Sequence, residues 1–154
     1  MILSIQTGQN NPRLRQKAEL VKEITPEIKE LILDMKQTLK SADGLGLAAP
    51  QISKNLRIIT LRIPRGQNTQ PYLLSLINPK IIKTSPEKVI MEEGCLSLPN
   101  IYGLVERPAK VTVEGLKSSG KKIKIQADGL LARVLQHEID HLEGILFIDK
   151  VRKN

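Results

Sequence analysis

The sequence has little of what several protein classes depend on, beginning with cysteine and aromatic residues. Cys95 is the one cysteine among 154 residues, so an intramolecular disulfide is excluded, which suits a reducing cytosol. Tryptophan is absent, and the aromatic content is only 2%. Because proteins that bind single-stranded nucleic acids rely on aromatic stacking platforms, this scarcity argues against that class. The core is therefore expected to consist of Ile, Leu and Val.

The sequence also lacks membrane and export signals. No apolar stretch approaches the roughly 18 residues that a membrane span needs. Residues 1–6 lack the basic segment and the apolar run of a signal peptide. These absences predict a cytoplasmic protein without a membrane partner. A length of 154 residues is most simply one domain, spanning residues 1–154 and long enough to bury a core.

Positive charge is in excess, with a net charge of +8. A generic basic surface is the simpler interpretation, and a weak attraction to RNA or another polyanion is the alternative. Basic residues gather at 121–124 and at 150–153. No DNA-reading motif accompanies them, so no DNA partner is expected.

Two segments have the residue spacing of helices with one buried face. Residues 25–27, Thr-Pro-Glu, combine an N-cap residue with proline at the first helical position, and apolar residues recur at helical spacing until about Asp43. A second helix is predicted from about Asp128 to Leu142, with Asp128 as N-cap and Gly144 as the stop signal. The only two histidines of the chain lie on this second helix.

The second helix carries the pattern His-Glu-x-x-His at residues 137–141. His137 and His141 are four residues apart, so on a helix they project from one face and can hold one divalent metal ion. Glu138 is placed where a carboxylate can reach a water bound to that metal. Chance pairs of histidines at this spacing are common, but an unpaired carboxylate in an otherwise apolar helix is costly, which favours a site.

A third metal ligand is needed, because catalytic zinc-type sites usually have three protein ligands and one open position. The chain continues for 13 residues beyond His141, and the only acids there are Glu143 and Asp149. Glu143 should point away from the face of the histidines. Cys95 is the leading candidate, since thiolates bind zinc and ferrous iron strongly. An isolated cysteine is more often a small buried hydrophobic residue, and Asp149 stays open as the alternative ligand.

The strands are predicted between the two helices. Short apolar, β-branched runs occupy 56–63 and 73–77, and apolar residues alternate with polar ones in 111–113 and 123–125 around a turn. We therefore predict an α+β fold, with mainly antiparallel β-sheets packed around a central metal-binding helix and with an N-terminal helix.

Residues 44–51, Gly-Leu-Gly-Leu-Ala-Ala-Pro-Gln, form a segment with little side-chain bulk. Substrate backbone could lie against such a segment as an added strand. Gln51 could donate its amide N–H to a developing oxyanion. Taken alone, the segment is better explained as a turn that ends a helix, followed by a closely packed strand.

Residues 44–51, 93–97 and 136–141 together resemble the peptide deformylases. That family shows Gly-x-Gly-x-Ala-Ala-x-Gln, Glu-Gly-Cys-Leu-Ser and Gln-His-Glu-x-x-His segments in this order. The resemblance implies a metal-dependent hydrolase that removes the N-formyl group from the N-terminal formyl-methionine of nascent polypeptides. A catalytically weak deformylase-like peptide-binding protein and a small metallopeptidase with Asp149 as third ligand are the alternatives.

The resemblance implies a role for each residue that matches the family pattern. Cys95, His137 and His141 would bind one divalent metal ion. In the native family this ion is Fe²⁺, and Zn²⁺, Ni²⁺ or Co²⁺ can replace it. Glu138 would be the general acid/base. Gln51 and the N–H of Leu96 would be the two oxyanion donors, and the backbone of Gly46 would contact the substrate. The substrate pocket would be formed by Leu45, Met91, Glu93, Gly94, Leu130, Arg133 and Val134.

Two positions depart from the usual family pattern. Arg133 stands where an apolar pocket residue is usual, so we expect its stem to pack while its guanidinium reaches solvent. Tyr102 stands where many members have a basic residue near the bound peptide. The expected partner is the N-formyl-methionyl peptide, with at most a weak electrostatic ribosome contact through residues 150–153, and we expect a monomer.

Overall fold

A computed structural model describes residues 1–153. Its strands follow one another along the chain, between the second and third helices. The helices are α1 (Pro12–Arg15), α2 (Pro26–Ser41) and α3 (Gly129–Leu142), with 3₁₀ turns at Ala49–Ile52 and Phe147–Lys150. The strands are β1 (Gly46–Ala48), β2 (Ile58–Ile63), β3 (Tyr72–Thr84), β4 (Lys88–Cys95), β5 (Leu98–Pro108), β6 (Lys110–Leu116) and β7 (Lys122–Asp128). These strands pair antiparallel, which confirms the predicted α+β class.

The strands form two sheets of unequal size. The larger sheet has the order β1-β2-β3-β6-β7, and the smaller one is the hairpin β4–β5. The predicted hairpin around residues 118–120 is confirmed as β6–β7. The hairpin β4–β5 was not predicted, because the sequence of β4, Lys-Val-Ile-Met-Glu-Glu-Gly-Cys, shows no alternation of apolar and polar residues, and half of its positions are exposed.

The five-stranded sheet is covered on both faces, since successive residues of a strand point to opposite sides. On one face, Ile59 and Leu61 of β2 pack against Leu135 and Ile139 of α3. On the other face, Ile58 packs against the buried stripe of α2. Burial on both sides explains why β2 reads as a continuous apolar run rather than as an alternating one.

Both predicted helices begin and end close to the predicted residues. The hydroxyl of Thr25 accepts a hydrogen bond of 3.2 Å from the N–H of Ile28, so Thr25 is the N-cap of α2. Asp128 occupies the N-cap position of α3 but makes no side-chain capping bond. Gly144 follows α3 with φ +73°, and a Cβ there would lie 2.4 Å from the carbonyl oxygen of Arg15, so only glycine fits.

The hairpin β4–β5 has a core of its own. Leu98 and Val105 of β5 pack with Leu14, Leu146 and Phe147, so residues from both ends of the described chain meet beneath the hairpin. This arrangement places the end of β4 beside the buried face of α3. None of the described helices is both long enough and apolar enough to cross a membrane.

Candidate metal centre and active site

Cys95, His137 and His141 come together where the end of β4 meets α3. Sγ of Cys95 lies 3.3 Å from Nε2 of His141, and the ligand atoms of the three residues all lie within 4.8 Å of one another. Tetrahedral zinc, with metal–ligand distances of about 2.0–2.3 Å, places its ligand atoms about 3.5 Å apart. The spacing therefore suits one metal ion, and one thiolate with two imidazoles is a donor set that suits zinc or ferrous iron.

The charge distribution around the three ligands favours a cation between them. Burial opposes a charge on His137, but its hydrogen bonds with Cys95 and Glu93 raise its pKa to about 10. Burial holds the pKa of His141 well below its ordinary value, which keeps this imidazole neutral, as a metal ligand must be. A metal ion that replaced the proton of His137 would supply the positive charge that this pocket favours.

Glu93 fixes the orientation of the His137 ring. Nδ1 of His137 lies 2.9 Å from Oε1 of Glu93, which leaves Nε2 to face the metal position. Burial alone would raise the pKa of Glu93, but hydrogen bonds from His137, Arg107 and Arg133 hold it well below its ordinary value. Glu93 is therefore ionised, and the sequence-based assignment of this residue to the pocket wall missed its contact with His137.

The guanidinium of Arg133 does not reach solvent, so that expectation is wrong. It donates to Oε2 of Glu93 at 2.8 Å and to the carbonyl oxygens of Val105 and Val89 at 2.8 and 2.7 Å. Its side chain is only 6% exposed. The buried carboxylate and the two strand carbonyls replace water as partners, and the arginine fastens both strands of the hairpin to α3.

Arg107 of β5 is a buried residue of this network that sequence reasoning missed. It donates to Glu93 through Nε at 2.6 Å and through Nη2 at 2.9 Å, and its Nη1 lies 2.8 Å from Oδ2 of Asp140. Lys150 pairs with the same oxygen of Asp140 at 3.1 Å. The one signal in the sequence was a second acid, Asp140, between Ile139 and His141 on α3.

Glu138 is a buried carboxylate beside the ligand cluster. It is 2% exposed, and among residues 1–153 its Oε1 has no hydrogen-bond partner, although it lies 4.0 Å from Nε2 of His141. Burial raises the pKa of Glu138 to about 7. A Cβ on Gly46 would lie 2.7 Å from Cγ and Oε2 of Glu138, so glycine permits β1 to pass this close.

The amide of Gln51 is held with its nitrogen toward the metal ligands. Its Oε1 accepts a hydrogen bond of 2.9 Å from the N–H of Ala48, and its Nε2 donates to the hydroxyl of Ser97 at 3.0 Å. The same nitrogen lies 3.6 Å from Sγ of Cys95. The predicted oxyanion donor is thus fixed in orientation beside the predicted ligand.

A cavity of about 550 Å³ opens in front of this centre. Of the residues assigned to the centre and the pocket, those that line it are Leu45, Gly46, Gln51, Glu93, Gly94, Cys95, Leu96, Leu130, Arg133, Val134, His137 and Glu138. Met91 is not part of the lining and pairs with buried Val105 in the hairpin. Tyr102 is part of the lining, with its ring against Gly94.

The acids that follow α3 lie away from the ligand cluster. Asp149 receives two hydrogen bonds from Arg15, at 2.6 and 3.1 Å, and one from the N–H of Leu146. Glu143 pairs with Arg57 at 2.7 Å, pointing away from the histidines as predicted. The group that could hold a metal comprises Cys95 and the two histidines, without Asp149.

Comparisons with known proteins agree with this arrangement. The polypeptide deformylase family model matches residues 2–154. The chain is 54% identical over 141 residues to the peptide deformylase of Halothermothrix orenii, covering 92% of this chain and 88% of that protein. The crystal structure of peptide deformylase from Ehrlichia chaffeensis in complex with actinonin has a TM-score of 0.91 at 39% identity, covering 99% of this chain and 90% of that chain. The Met-Ala-Ser-bound class I type b peptide deformylase from Acinetobacter baumannii has a TM-score of 0.90 at 30% identity, covering 98% and 99%.

Proposed function

The chain belongs to the polypeptide deformylase family, and from that premise we propose that it removes the N-formyl group from the formyl-methionine end of nascent polypeptides by hydrolysis. One observation carries the proposal. The buried carboxylate of Glu138, one oxygen of which has no hydrogen-bond partner among residues 1–153, lies beside three metal-ligand atoms and faces a cavity that also contains the oriented amide of Gln51.

We propose that Cys95, His137 and His141 hold one divalent metal ion. When bound, such an ion supplies Lewis acidity, which lowers the pKa of water and polarises a carbonyl group. Fe²⁺ is the ion proposed for the native protein, with Zn²⁺, Ni²⁺ or Co²⁺ as replacements. The thiolate and imidazole donors support this set of ions without choosing among them.

In the proposed reaction, a water oxygen attacks the formyl carbon and the carbon–nitrogen bond then breaks, releasing formate. Glu138 takes a proton from the attacking water and returns it to the leaving amine nitrogen. The amide of Gln51 and the N–H of Leu96 donate to the oxyanion, where the loss of one donor typically costs about 10²–10³ in rate. The bond from Ala48 to Gln51 prepares this amide in advance.

The peptide is proposed to bind as an added strand along β1. This strand forms the edge of the five-stranded sheet, and Gly46 lines the cavity. An extended peptide can pair with such an edge through main-chain hydrogen bonds. The methionine side chain would enter the apolar part of the cavity beside Leu45, Leu130 and Val134. The relative from Acinetobacter baumannii binds Met-Ala-Ser, which supports a short peptide as the ligand.

We further propose a cytoplasmic monomer whose contact with the ribosome is weak. The positive charge of the C-terminal residues is partly neutralised within the protein. Lys150 pairs with Asp140 at 3.1 Å, and Arg152 lies 4.0 Å from Glu106. Less charge is then left for a polyanionic surface, and salt would screen it further.

The substitution Glu138→Gln tests the proposed function. We expect metal content to stay at one equivalent while turnover of formyl-Met-Ala-Ser falls by about 10²–10⁴, the usual contribution of general acid/base catalysis. Glu143→Gln is the matched control, because Glu143 is an acid just past the same helix that points away from the cluster. A rate near that of the wild type in a metal-loaded Glu138→Gln variant would rule out the acid/base role.

The same assay separates the two alternative functions. A peptide-binding protein without catalysis would bind formyl-Met-Ala-Ser but release no formate from the metal-loaded wild-type protein. A metallopeptidase would cleave unformylated peptides. Purification without oxygen, followed by metal analysis on the assayed sample, keeps loss of ferrous iron from being mistaken for lack of activity.

A further inference from the structure

Arg62 of β2 reaches across to the segment that joins α2 to β1. Its guanidinium donates to the carbonyl oxygens of Leu39 at 2.6 Å, Ala42 at 3.2 Å and Gly44 at 3.1 Å. Its backbone N–H donates to the carbonyl oxygen of Leu45 at 2.9 Å. One residue thus makes four hydrogen bonds to a segment of seven residues, 39–45.

The acceptors explain why an arginine is suited to this position. Leu39 lies in the last turn of α2 and Ala42 is its C-cap residue, and carbonyls at this end of a helix carry partial negative charge. The carbonyl of Leu39 accepts a hydrogen bond of 3.1 Å from the N–H of Ala42 in addition to the one from Arg62. A planar guanidinium presents several donors in a fixed fork and stays charged. The guanidinium of Arg62 therefore caps the C-terminal end of α2 and also anchors the carbonyl of Gly44.

Residues 43–46, here called the substrate lip, line the cavity. On the cavity side the lip is packed tightly, because a Cβ on Gly44 would lie 2.8 Å from the side chain of Leu96 and one on Gly46 would lie 2.7 Å from Glu138. Side chains on the cavity side therefore prevent the lip from moving inward. Arg62 holds it from the other side.

We propose that Arg62 is a positioning residue for the substrate, acting through the main chain of the substrate lip. The inference rests on the proposed function, in which the peptide pairs with β1. A peptide that adds a strand must find the lip already ordered, since ordering it on binding costs affinity. The ligand cluster and Gln51 have their own contacts, so loss of Arg62 should raise KM far more than it lowers kcat.

Arg62→Met removes the donors and keeps an apolar stem of similar length. We expect KM for formyl-Met-Ala-Ser to rise about tenfold, with kcat within about twofold of the wild type. Arg62→Lys, whose single ammonium can meet only part of the three carbonyls, should restore part of the loss. Because its charge remains at the end of α2, the lysine variant also serves if the methionine variant does not fold.

Arg57 provides the matched control. It lies just before β2 and also bonds main-chain carbonyls, those of Ala18 at 3.5 Å and Leu142 at 3.2 Å, in addition to Glu143. None of these residues lines the cavity. Arg57→Met should lower the melting temperature without raising KM, whereas Arg62→Met should do both.

Amide hydrogen exchange gives a readout that does not depend on activity. In the metal-loaded protein, exchange of residues 43–47 should be faster in Arg62→Met than in the wild type and unchanged in Arg57→Met. A folded Arg62 variant with wild-type KM, whether exchange is faster or not, overturns the positioning role. If the wild type releases no formate, the proposed function fails, while the exchange experiment still tests whether Arg62 orders the lip.

Discussion

One wall of the cavity is the substrate lip, and the facing wall is the hairpin β4–β5 packed on α3. The lip continues into the five-stranded sheet and is held by main-chain hydrogen bonds and by Arg62. Within the described residues the hairpin is a separate two-stranded sheet, and such a sheet alone is only marginally stable. The hairpin is instead held by the apolar cluster beneath it and by the buried ion pairs that join it to α3.

The comparison has a chemical consequence. Cys95 is delivered by the hairpin, whereas both histidines are delivered by α3, so the three ligands meet only while the hairpin stays fixed to the helix. Glu93 is central to this attachment, because it binds His137 directly and accepts hydrogen bonds from Arg107 and Arg133. Breaking the ionic wall should therefore cost metal and stability together, while changing the lip should lower activity, through KM or kcat, with the metal retained.

Glu93→Gln, in the hairpin wall, is expected to have a larger effect than any substitution in the lip. The variant leaves Arg107 and Arg133 without their shared carboxylate, and removing one partner of a buried ion pair costs about 3–5 kcal/mol. Replacing the charged acceptor of His137 by a neutral amide should also weaken metal binding by about 10–100-fold. Thermal unfolding and metal competition titrations measure the two effects on the same sample.

Glu92→Gln is the control for that substitution, because Glu92 is an exposed acid on the same strand. It should leave both the melting temperature and the metal affinity near the wild-type values. If Glu93→Gln behaved like the control, the hairpin would not depend on the ionic network and the contrast between the two walls would be lost.

Gly46→Ala tests the lip. The added methyl group would lie 2.7 Å from Cγ and Oε2 of Glu138 and must displace that carboxylate. Because a misplacement of about 1 Å can cost on the order of 10²-fold in rate, we expect kcat to fall by about that factor with metal content retained. The expected profile is the reverse of Glu93→Gln, with chemistry lost and stability little changed.

Gly115→Ala is the matched glycine, since a Cβ there finds its nearest neighbour at 3.4 Å. Its rate should stay near that of the wild type. A Gly46→Ala enzyme with unchanged kcat would show that the carboxylate of Glu138 does not need its position beside the lip, and a loss of metal in that enzyme would show that the two walls are not independent.

The two walls also differ in how far the sequence predicts them. The lip and the histidine pair are carried by local patterns, because residues 44–51 are contiguous and His137 and His141 share one helix. The ionic network is not local, since Glu93, Arg107 and Arg133 come from β4, β5 and α3 and meet only in the final packing. The expectation that Arg133 reaches solvent failed for this reason, as nothing in its own helix marks Glu93 as a neighbour.

The strands that were missed or shortened have physical reasons as well. β4 has three apolar residues in a row followed by two acids, with half of its positions exposed, so no periodic pattern marks it. β3 was predicted only to Ile77 but continues to Thr84, because Asn78 adopts φ +53° and register shifts around it let the strand pass a proline. Such shifts depend on pairing with β6, which a single strand's sequence does not show.

Asp149 belongs to neither wall, and Asp149→Asn is expected to have the smallest effect of these substitutions. The Arg15 guanidinium holds the pKa of Asp149 below its ordinary value, so the pair stabilises the fold at neutral pH and that contribution is lost as the pH falls through the lowered pKa. Because the pair is exposed, the loss at pH 7 should be below about 1 kcal/mol and should shrink in high salt. Denaturant unfolding of the wild type and the variant at pH 7 and pH 3 should show that their difference in free energy of unfolding is smaller at the lower pH.

Metal affinity should not change in Asp149→Asn. A loss of metal in this variant would instead make the carboxylate a ligand and revive the metallopeptidase alternative.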